Sequence, residues 1–264
     1  MPEDTPVWRY LSLIAVVETI KARQLRLTRV DIFRDPFEGS VPKKHMEDQN
    51  IVLMGGQSQQ HMMNIVALHH PGMAPSPPPD EDPWSRLMRW RRARTRSAHA
   101  SCWSAGDESE ALWRLYCKDE DCRGAGVALQ TTLARLEKSV AVHDLCVSPI
   151  RYLKYHEAEA FKDDMEPLMH KRHGFSAERE VRLLRFNETH YKTLVPKDAL
   201  VSELPKHIYL DWVLGDVIDE IIVSPYADKN YEERVRQAID ATDPSLTGRV
   251  ALSVLHERRY APNF

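Results

Sequence analysis

The segment Ala177–Phe186 reads A-E-R-E-V-R-L-L-R-F. Side chains alternate across a strand, so Glu178, Glu180 and Arg182 fall on one face while Val181 and Leu183 fall on the other. A chain that carries this segment must bury the apolar face in a core. It must also give the row of charges on the opposite face partners or a task, because a charge removed from water is costly unless it is paired.

The surrounding segments set the fold class. Strand-period stretches occur at Trp8–Leu11, Leu25–Thr28, Ala98–Ser104, Gly126–Gln130, Ile218–Val223 and Arg249–His256, with one or two more between Val140 and Tyr155. Helix-period stretches follow Leu11, where Leu11, Ile14, Ala15 and Ile20 fall near one face. Others cover Trp84–Arg96, Glu108–Cys117, Glu157–His170 and Tyr231–Ala241. The two periods mix without steady βαβ alternation, which predicts an α+β fold rather than a doubly wound one. Asp35-Pro36-Phe37-Glu38 has the order of a helix start, with Asp as cap, Pro first in the helix and Glu three after the cap. Residues 42–70 have helical content broken at Gly55-Gly56, and residues 71–83, PGMAPSPPPDEDP, predict a surface loop because proline lacks a donor and fixes φ. No repeat or composition shift divides the chain, so residues 1–264 are expected to form one domain.

At 264 residues, with 42% hydrophobic and 28% charged side chains, the chain can bury a sizeable core without a disulfide or metal staple. A net charge of −3 gives no general attraction to nucleic acid or anionic membrane. The cysteines Cys102, Cys117, Cys122 and Cys146 lack a short paired spacing, which points to reduced thiols. The opening Met1-Pro-Glu-Asp has no basic n-region, and the longest apolar stretch is too short to span a bilayer. The expectation is a soluble cytoplasmic protein without membrane contact.

Three groups of residues could carry chemistry. Glu178 and Glu180 can divide labour, one stabilising positive charge that develops on a sugar and the other activating an acceptor; the alternative is a salt-bridge ladder on a strand face. Ser101 and Ser104 flank Trp103, and hydroxyls beside an aromatic ring can orient a ribose and stack a heteroaromatic base; the alternative is a core strand. Arg9 lies between Trp8 and Tyr10, and an inward arginine needs an anion, which a phosphate or an acidic side chain could supply. Arg86, Arg89, Arg91, Arg92, Arg94 and Arg96, with Trp84 and Trp90 interleaved, read either as a solvated helix face or as an anion-binding surface for nucleic acid or an acidic partner. Asp35 and Glu38 are explained by capping, and Trp113 and Tyr116 by helix packing. Cys117, Cys122, His143 and Cys146 lack the close pair that a zinc site uses, and no metal is expected.

The motifs W-R-Y at 8–10, L-x-L-T-R-x-D-x-F-x-D-P-F-E-G at 25–39, S-C-W-S at 101–104 and L-W-x-x-Y at 112–116 lead through G-V-A-L at 126–129 to F-x-x-E-x-E-V-R at 175–182 and I-I-V-S-P at 221–225. Together they resemble an uncharacterised bacterial domain-of-unknown-function family grouped with the ADP-ribosyltransferase superfamily of the arginine–serine–glutamate type. The resemblance implies a split β-sheet core with flanking helices. It implies a mono-ADP-ribosyltransferase or NAD glycohydrolase with NAD as co-substrate and a macromolecular acceptor or water, in the setting of a toxin or phage-defence effector. Glu180 would be the catalytic glutamate and Glu178 would assist the acceptor. Arg9 would contact the phosphates or adenosine-side ribose of NAD, with Tyr10 beside it. Ser101 or Ser104 would hold the nicotinamide ribose, and Trp103 would wall the nicotinamide pocket. Two other readings remain open: a non-catalytic nucleotide- or protein-binding module on the same fold, and a nucleic-acid-acting enzyme using the 86–96 arginine run.

Overall fold

The computed structural model describes residues 1–48, 83–119, 124–195 and 203–255. Eleven strands run in chain order among them: β1 (Pro6–Leu11), β2 (Gln24–Arg29), β3 (Ala98–Ala105), β4 (Val127–Thr132), β5 (Cys146–Pro149), β6 (Arg151–Leu153), β7 (His170–Arg172), β8 (Glu180–Phe186), β9 (His207–Asp211), β10 (Glu220–Val223) and β11 (Val250–Leu252). The α-helices are α1 (Leu13–Ala22), α2 (Lys43–Asp48), α3 (Pro83–Arg96), α4 (Glu110–Tyr116), α5 (Leu133–Val140), α6 (Glu188–Leu194), α7 (Leu214–Val217) and α8 (Lys229–Thr242). Helices on a sheet whose strand pairs are antiparallel except β10–β11 make this an α+β fold. No helix among the described residues is long and apolar enough to cross a membrane.

Nine of the strands form one sheet, ordered β11-β10-β4-β1-β3-β2-β9, with β8 also paired to β3 and β5 to β8. β3 is the branch point. β8 pairs with it along its length, from Ala98↔Phe186 to Ser104↔Glu180. On its other edge β1 takes only the C-terminal end, Val7↔Ala105 and Trp8↔Ser104, and β2 only the N-terminal end, Thr28↔Ala100 and Arg29↔His99. The stretch 101–103 has no ladder partner on that edge, and there the sheet splits into a β1–β4 arm and a β2–β9 arm.

Alternation on these strands builds two buried faces. Val7, Leu25, Leu27, Trp103, Leu129, Val181 and Leu183 point one way, into a core closed by Val16 and Ile20 of α1, Leu136 of α5 and Val235 and Ile239 of α8. Each such side chain contributes about 1.5–3 kcal/mol relative to exposure. On the other face, Tyr10, Trp113 and Ala128 form one cluster, and Ala98, Ala100, Leu168 and Leu184 another. α1 starts where Ser12 Oγ accepts from Ala15 N–H at 3.2 Å and ends at Arg23 in the left-handed region (φ 53°). That residue turns the chain straight into β2.

Two expected elements differ. Asp35-Pro36-Phe37-Glu38 is a turn rather than a helix start: Asp35 Oδ1 accepts from Phe37 N–H at 3.0 Å, and the residues over 36–39 are a hydrogen-bonded turn. Glu157–His170 is not an α-helix. Asp163 Oδ1 accepts from the N–H groups of both Met165 and Glu166 at 2.8 Å, closing a tight turn, and a short 3-10 turn over Glu166–Met169, with Pro167 in its first turn, runs into β7. Ile14, placed with the inward face of the first helix, is solvent-exposed, and Val16 takes the buried position. The expected break at Gly55-Gly56, Cys122 and nearly all of the proline-rich stretch lie outside the described residues.

Candidate active site

β8 begins one residue after Arg179, which adopts a left-handed conformation (φ 43°) at the end of a 3-10 turn over His173–Glu178. That kink separates the two glutamates. Glu180 is the first residue of the strand, and Glu178 ends the turn before it, so they are not a simple alternating pair. They meet instead through Lys171 of β7, whose Nζ lies 2.6 Å from Glu180 Oε2 and 2.7 Å from Glu178 Oε2. Arg182, two residues along β8 and so on the same face, donates from Nε to Glu180 Oε1 at 2.7 Å.

The arginine continues the network inward. Its two terminal nitrogens donate to Glu38 Oε2 at 3.2 Å and Oε1 at 3.1 Å, and one of them also donates to the Leu168 carbonyl at 2.5 Å. The planar guanidinium fork suits this two-oxygen contact. Glu38 is thus one end of a buried charge chain rather than the second half of a capping box, and Gly39, at φ +67°, turns the backbone that delivers it.

Tyrosines ring the cluster. Tyr116 at the end of α4 donates to Glu178 Oε1 at 2.9 Å, so it is not the core-packing residue its spacing from Trp113 predicts; nearly half of it is exposed. Tyr152 Oη accepts the Glu180 N–H at 2.7 Å, and burial pushes its phenol up to about 12. Tyr155 is likewise pushed up to about 12 by burial, with the Glu38 charge adding to it.

The electrostatics decide which groups are charged. Burial opposes ionisation of Glu180, but the Arg182 and Lys171 charges outweigh it and hold the carboxyl well below the usual carboxylate range. Lys171 is pushed the other way: burial favours its neutral form, and Glu180 followed by Glu178 overrides that and raises the ammonium above its ordinary range. Glu38, facing Arg182 from the side away from Glu180, has its carboxyl raised by burial despite the guanidinium. Among these five side chains three are acidic and two basic. The surface-side members are Glu178 and Lys171, at 12% and 9% exposure, while Glu180 at 3% lies beneath them.

The other sequence-selected residues are placed differently. Ser104 sits directly opposite Glu180 in the β3–β8 ladder, with its hydroxyl donating to the Glu178 carbonyl at 2.7 Å. Its role is to tie the turn to the sheet. Ser101 and Trp103 point to the opposite face, in the core layer with Leu183 and Val181 opposite them; Trp103 is fully packed, and Ser101 Oγ is buried without a hydrogen bond. Arg9 also lies on the Trp103 side, its guanidinium 5.9 Å from that ring, and Trp8 occupies the Ser104–Glu180 side. Tyr10 Oη accepts from Ser109 N–H at 2.9 Å, and its ring meets Trp113 edge-on at 4.9 Å, so it caps and packs α4. The structure therefore brings Glu178, Glu180 and Ser104 together and leaves Arg9, Tyr10, Ser101 and Trp103 outside the carboxylate cluster.

Arg91, Arg94 and Arg96 of the run are engaged within the fold, and Arg94 alone among the six is buried. Arg94 pairs with Asp164 at 2.9 Å, Arg96 with Glu203 at 2.9 Å, and Arg91 donates to the Glu38 and Pro36 carbonyls. Among the described residues no group of three or more His, Cys, Asp or Glu side chains is arranged to hold a metal. Lys171, Glu38 and Tyr152 were not selected from sequence. The signal that pointed nearest to them is the excess of buried-type charge on the β8 face, which required basic partners from elsewhere. Comparison with protein-family models, with curated proteins and with solved structures gives no match to this chain.

Proposed function

We propose that this chain is an ADP-ribosyltransferase-like enzyme that binds NAD, breaks the nicotinamide–ribose bond and passes ADP-ribose to a macromolecular acceptor or to water. The observation that carries the reading is Glu180: a carboxylate kept ionised in a dry site, with a second carboxylate, Glu178, beside it across Lys171. Breaking the bond sends its electron pair to the nicotinamide nitrogen and leaves an oxocarbenium-like ribose, and a preorganised negative charge stabilises that cation more strongly than water does. Glu180 is the group for the cation and the ribose 2′-hydroxyl. Glu178, nearer the surface and bonded by Tyr116, is the group that takes the proton from the attacking hydroxyl or water. The split of the sheet at β3 supports the same reading of the fold.

The burial of Glu180 favours a second reading, in which both its oxygens are committed to Lys171 and Arg182 and the fold serves as a non-catalytic nucleotide- or protein-binding module. Nicotinamide release from NAD separates the two. The enzyme reading expects release by wild type that falls on the order of a hundredfold or more in Glu180→Gln and in Glu178→Gln. The less buried Glu178 variant also serves as the folding control. Absence of both NAD binding and nicotinamide release in wild type overturns it.

A further inference from the structure

The four oxygens of Glu178 and Glu180 are used in two ways. Glu180 Oε1 accepts from Arg182 Nε and Glu178 Oε1 accepts from the Tyr116 hydroxyl. Both Oε2 atoms turn instead to one place, filled by Lys171 Nζ at 2.6 Å from Glu180 and 2.7 Å from Glu178. Those two contacts differ in kind. The ammonium donates a hydrogen bond to Glu178 Oε2, whereas Glu180 Oε2 is buried, receives no hydrogen bond among the described residues, and meets the lysine only as a charge. An ammonium has three donors, and among the described residues Lys171 places one. Arg182 is held more firmly: fully buried, it donates to Glu180, to both oxygens of Glu38 and to the Leu168 carbonyl.

We propose that Lys171 is an internal competitor for this site: its ammonium occupies the place of the cationic ribose, and the carboxylates act only when that side chain swings out. This regulation rests on the NAD chemistry proposed for Glu180. A sugar cation cannot take contact distance from the same two oxygens while the ammonium is there, because the two positive charges repel. Lys171 is the cation that can leave. Its side chain is 9% exposed against 0% for Arg182, and its charge sits on a flexible four-carbon stem. Its strand, β7, lies outside the main sheet and pairs only with β6. Phe175, in the turn that ends at Glu178, gives the ammonium a second seat, since Nζ already stands 5.6 Å from the centre of that ring. With the lysine moved there, Arg182 still pairs with Glu180 and holds it in place. The commitment of both Glu180 oxygens is then a resting state that the substrate must open.

Nicotinamide release from NAD by the full chain is compared among wild type, Lys171→Gln and Lys171→Arg, with NAD binding followed by calorimetry. Lys171→Gln removes the competing charge and should release nicotinamide about tenfold faster or more, the factor expected when the open form is a minor state of wild type. Lys171→Arg keeps a cation in the site and should be no faster than wild type. A lysine that only held the fold would give the opposite sign, because its loss leaves buried carboxylates short of a partner. Release by Lys171→Gln at or below the wild-type rate overturns the inference, and the NAD reading stands if wild type itself releases nicotinamide. No NAD binding and no release by wild type overturns both. Reductive methylation of the unaltered chain, read at each lysine by mass spectrometry, tests the same movement without a substitution. Lys171 should react slowly in the free protein and several-fold faster with saturating NAD. A Lys171 equally protected with NAD bound overturns the inference, whether or not Lys171→Gln folds.

Discussion

Lys171 Nζ stands 2.6 Å from Glu180 Oε2, with both side chains more than nine-tenths out of water. The lysine comes from a three-residue strand outside the main sheet and joins the Glu180 and Glu178 carboxylates. Removing one partner of a buried pair leaves an uncompensated charge, which costs about 3–5 kcal/mol. Lys171→Met is therefore expected to destabilise the protein by that amount in urea denaturation. Lys171→Met/Glu180→Gln, which removes both charges, should recover part of the loss. A double mutant that is additive would mean the two side chains do not interact.

Gly39 makes a separate prediction about how Glu38 is delivered to Arg182. At φ +67° its backbone lies where side chains are strained, and an added Cβ would stand 2.6 Å from Thr95 Cγ2. Thr95 cannot move freely, because its hydroxyl donates to the Arg91 carbonyl at 3.0 Å within α3. Gly39→Ala should cost about 1–3 kcal/mol in equilibrium unfolding. An unchanged melting temperature would show that the turn tolerates a side chain.

Tyr116 reads the surface end of the cluster. Its hydroxyl donates to Glu178 at 2.9 Å from a ring that is nearly half exposed, so Tyr116→Phe should change stability by less than about 1 kcal/mol. If Glu178 acts on the acceptor, the same variant should lower nicotinamide release from NAD several-fold at unchanged melting temperature. Equal release by both proteins would detach Tyr116 from the chemistry.

What could be read from the sequence followed from local periodicity. Val181 and Leu183 do enter the core while Glu180 and Arg182 take the other face, and β1, β2, β3 and β4 lie where alternation put them. Glu178 departs because Arg179 breaks the alternation with a left-handed residue, which no pattern of polarity signals. Glu38 was lost to a plausible local explanation: Asp-Pro-x-Glu suits a helix cap, and only the pairing of β3 with β8 brings Arg182 to it from 144 residues away. Lys171 lies just past the stretch 157–170, which reads as helix but which Asp163 and Pro167 turn into β7. Arg9 and Trp103 share a side of the sheet, opposite Glu180, because β1 and β3 pair Trp8 with Ser104; register across strands is set by tertiary pairing and not by either segment alone.

The pH dependence of stability follows from buried histidines. His99 Nε2 lies 2.7 Å from the Pro205 carbonyl, and His170 Nδ1 lies 2.5 Å from the Glu166 carbonyl; in each pair the ring nitrogen is the donor. Burial lowers both rings below the ordinary histidine value. At His99 the Pro205 carbonyl opposes this and the Arg29 charge adds to it; at His170 the Glu166 carbonyl opposes and the Arg151 charge adds. A group whose folded value is lowered binds fewer protons when folded, so its contribution is complete above the unfolded value, about 6.5, and drains away as the pH falls toward the folded value. The melting temperature should therefore fall as the pH drops from about 7 toward 5, with a slope no steeper than about 1.4 kcal/mol per pH unit for each histidine. The raised Glu38 carboxyl takes up a proton in the folded state as the pH falls and works against this loss, so the histidine contribution is read as the difference between wild type and His99→Gln at each pH. His99→Gln, which can still donate to the Pro205 carbonyl, should flatten the profile. A profile of unchanged slope in His99→Gln would mean that His99 titrates alike in the folded and unfolded chains.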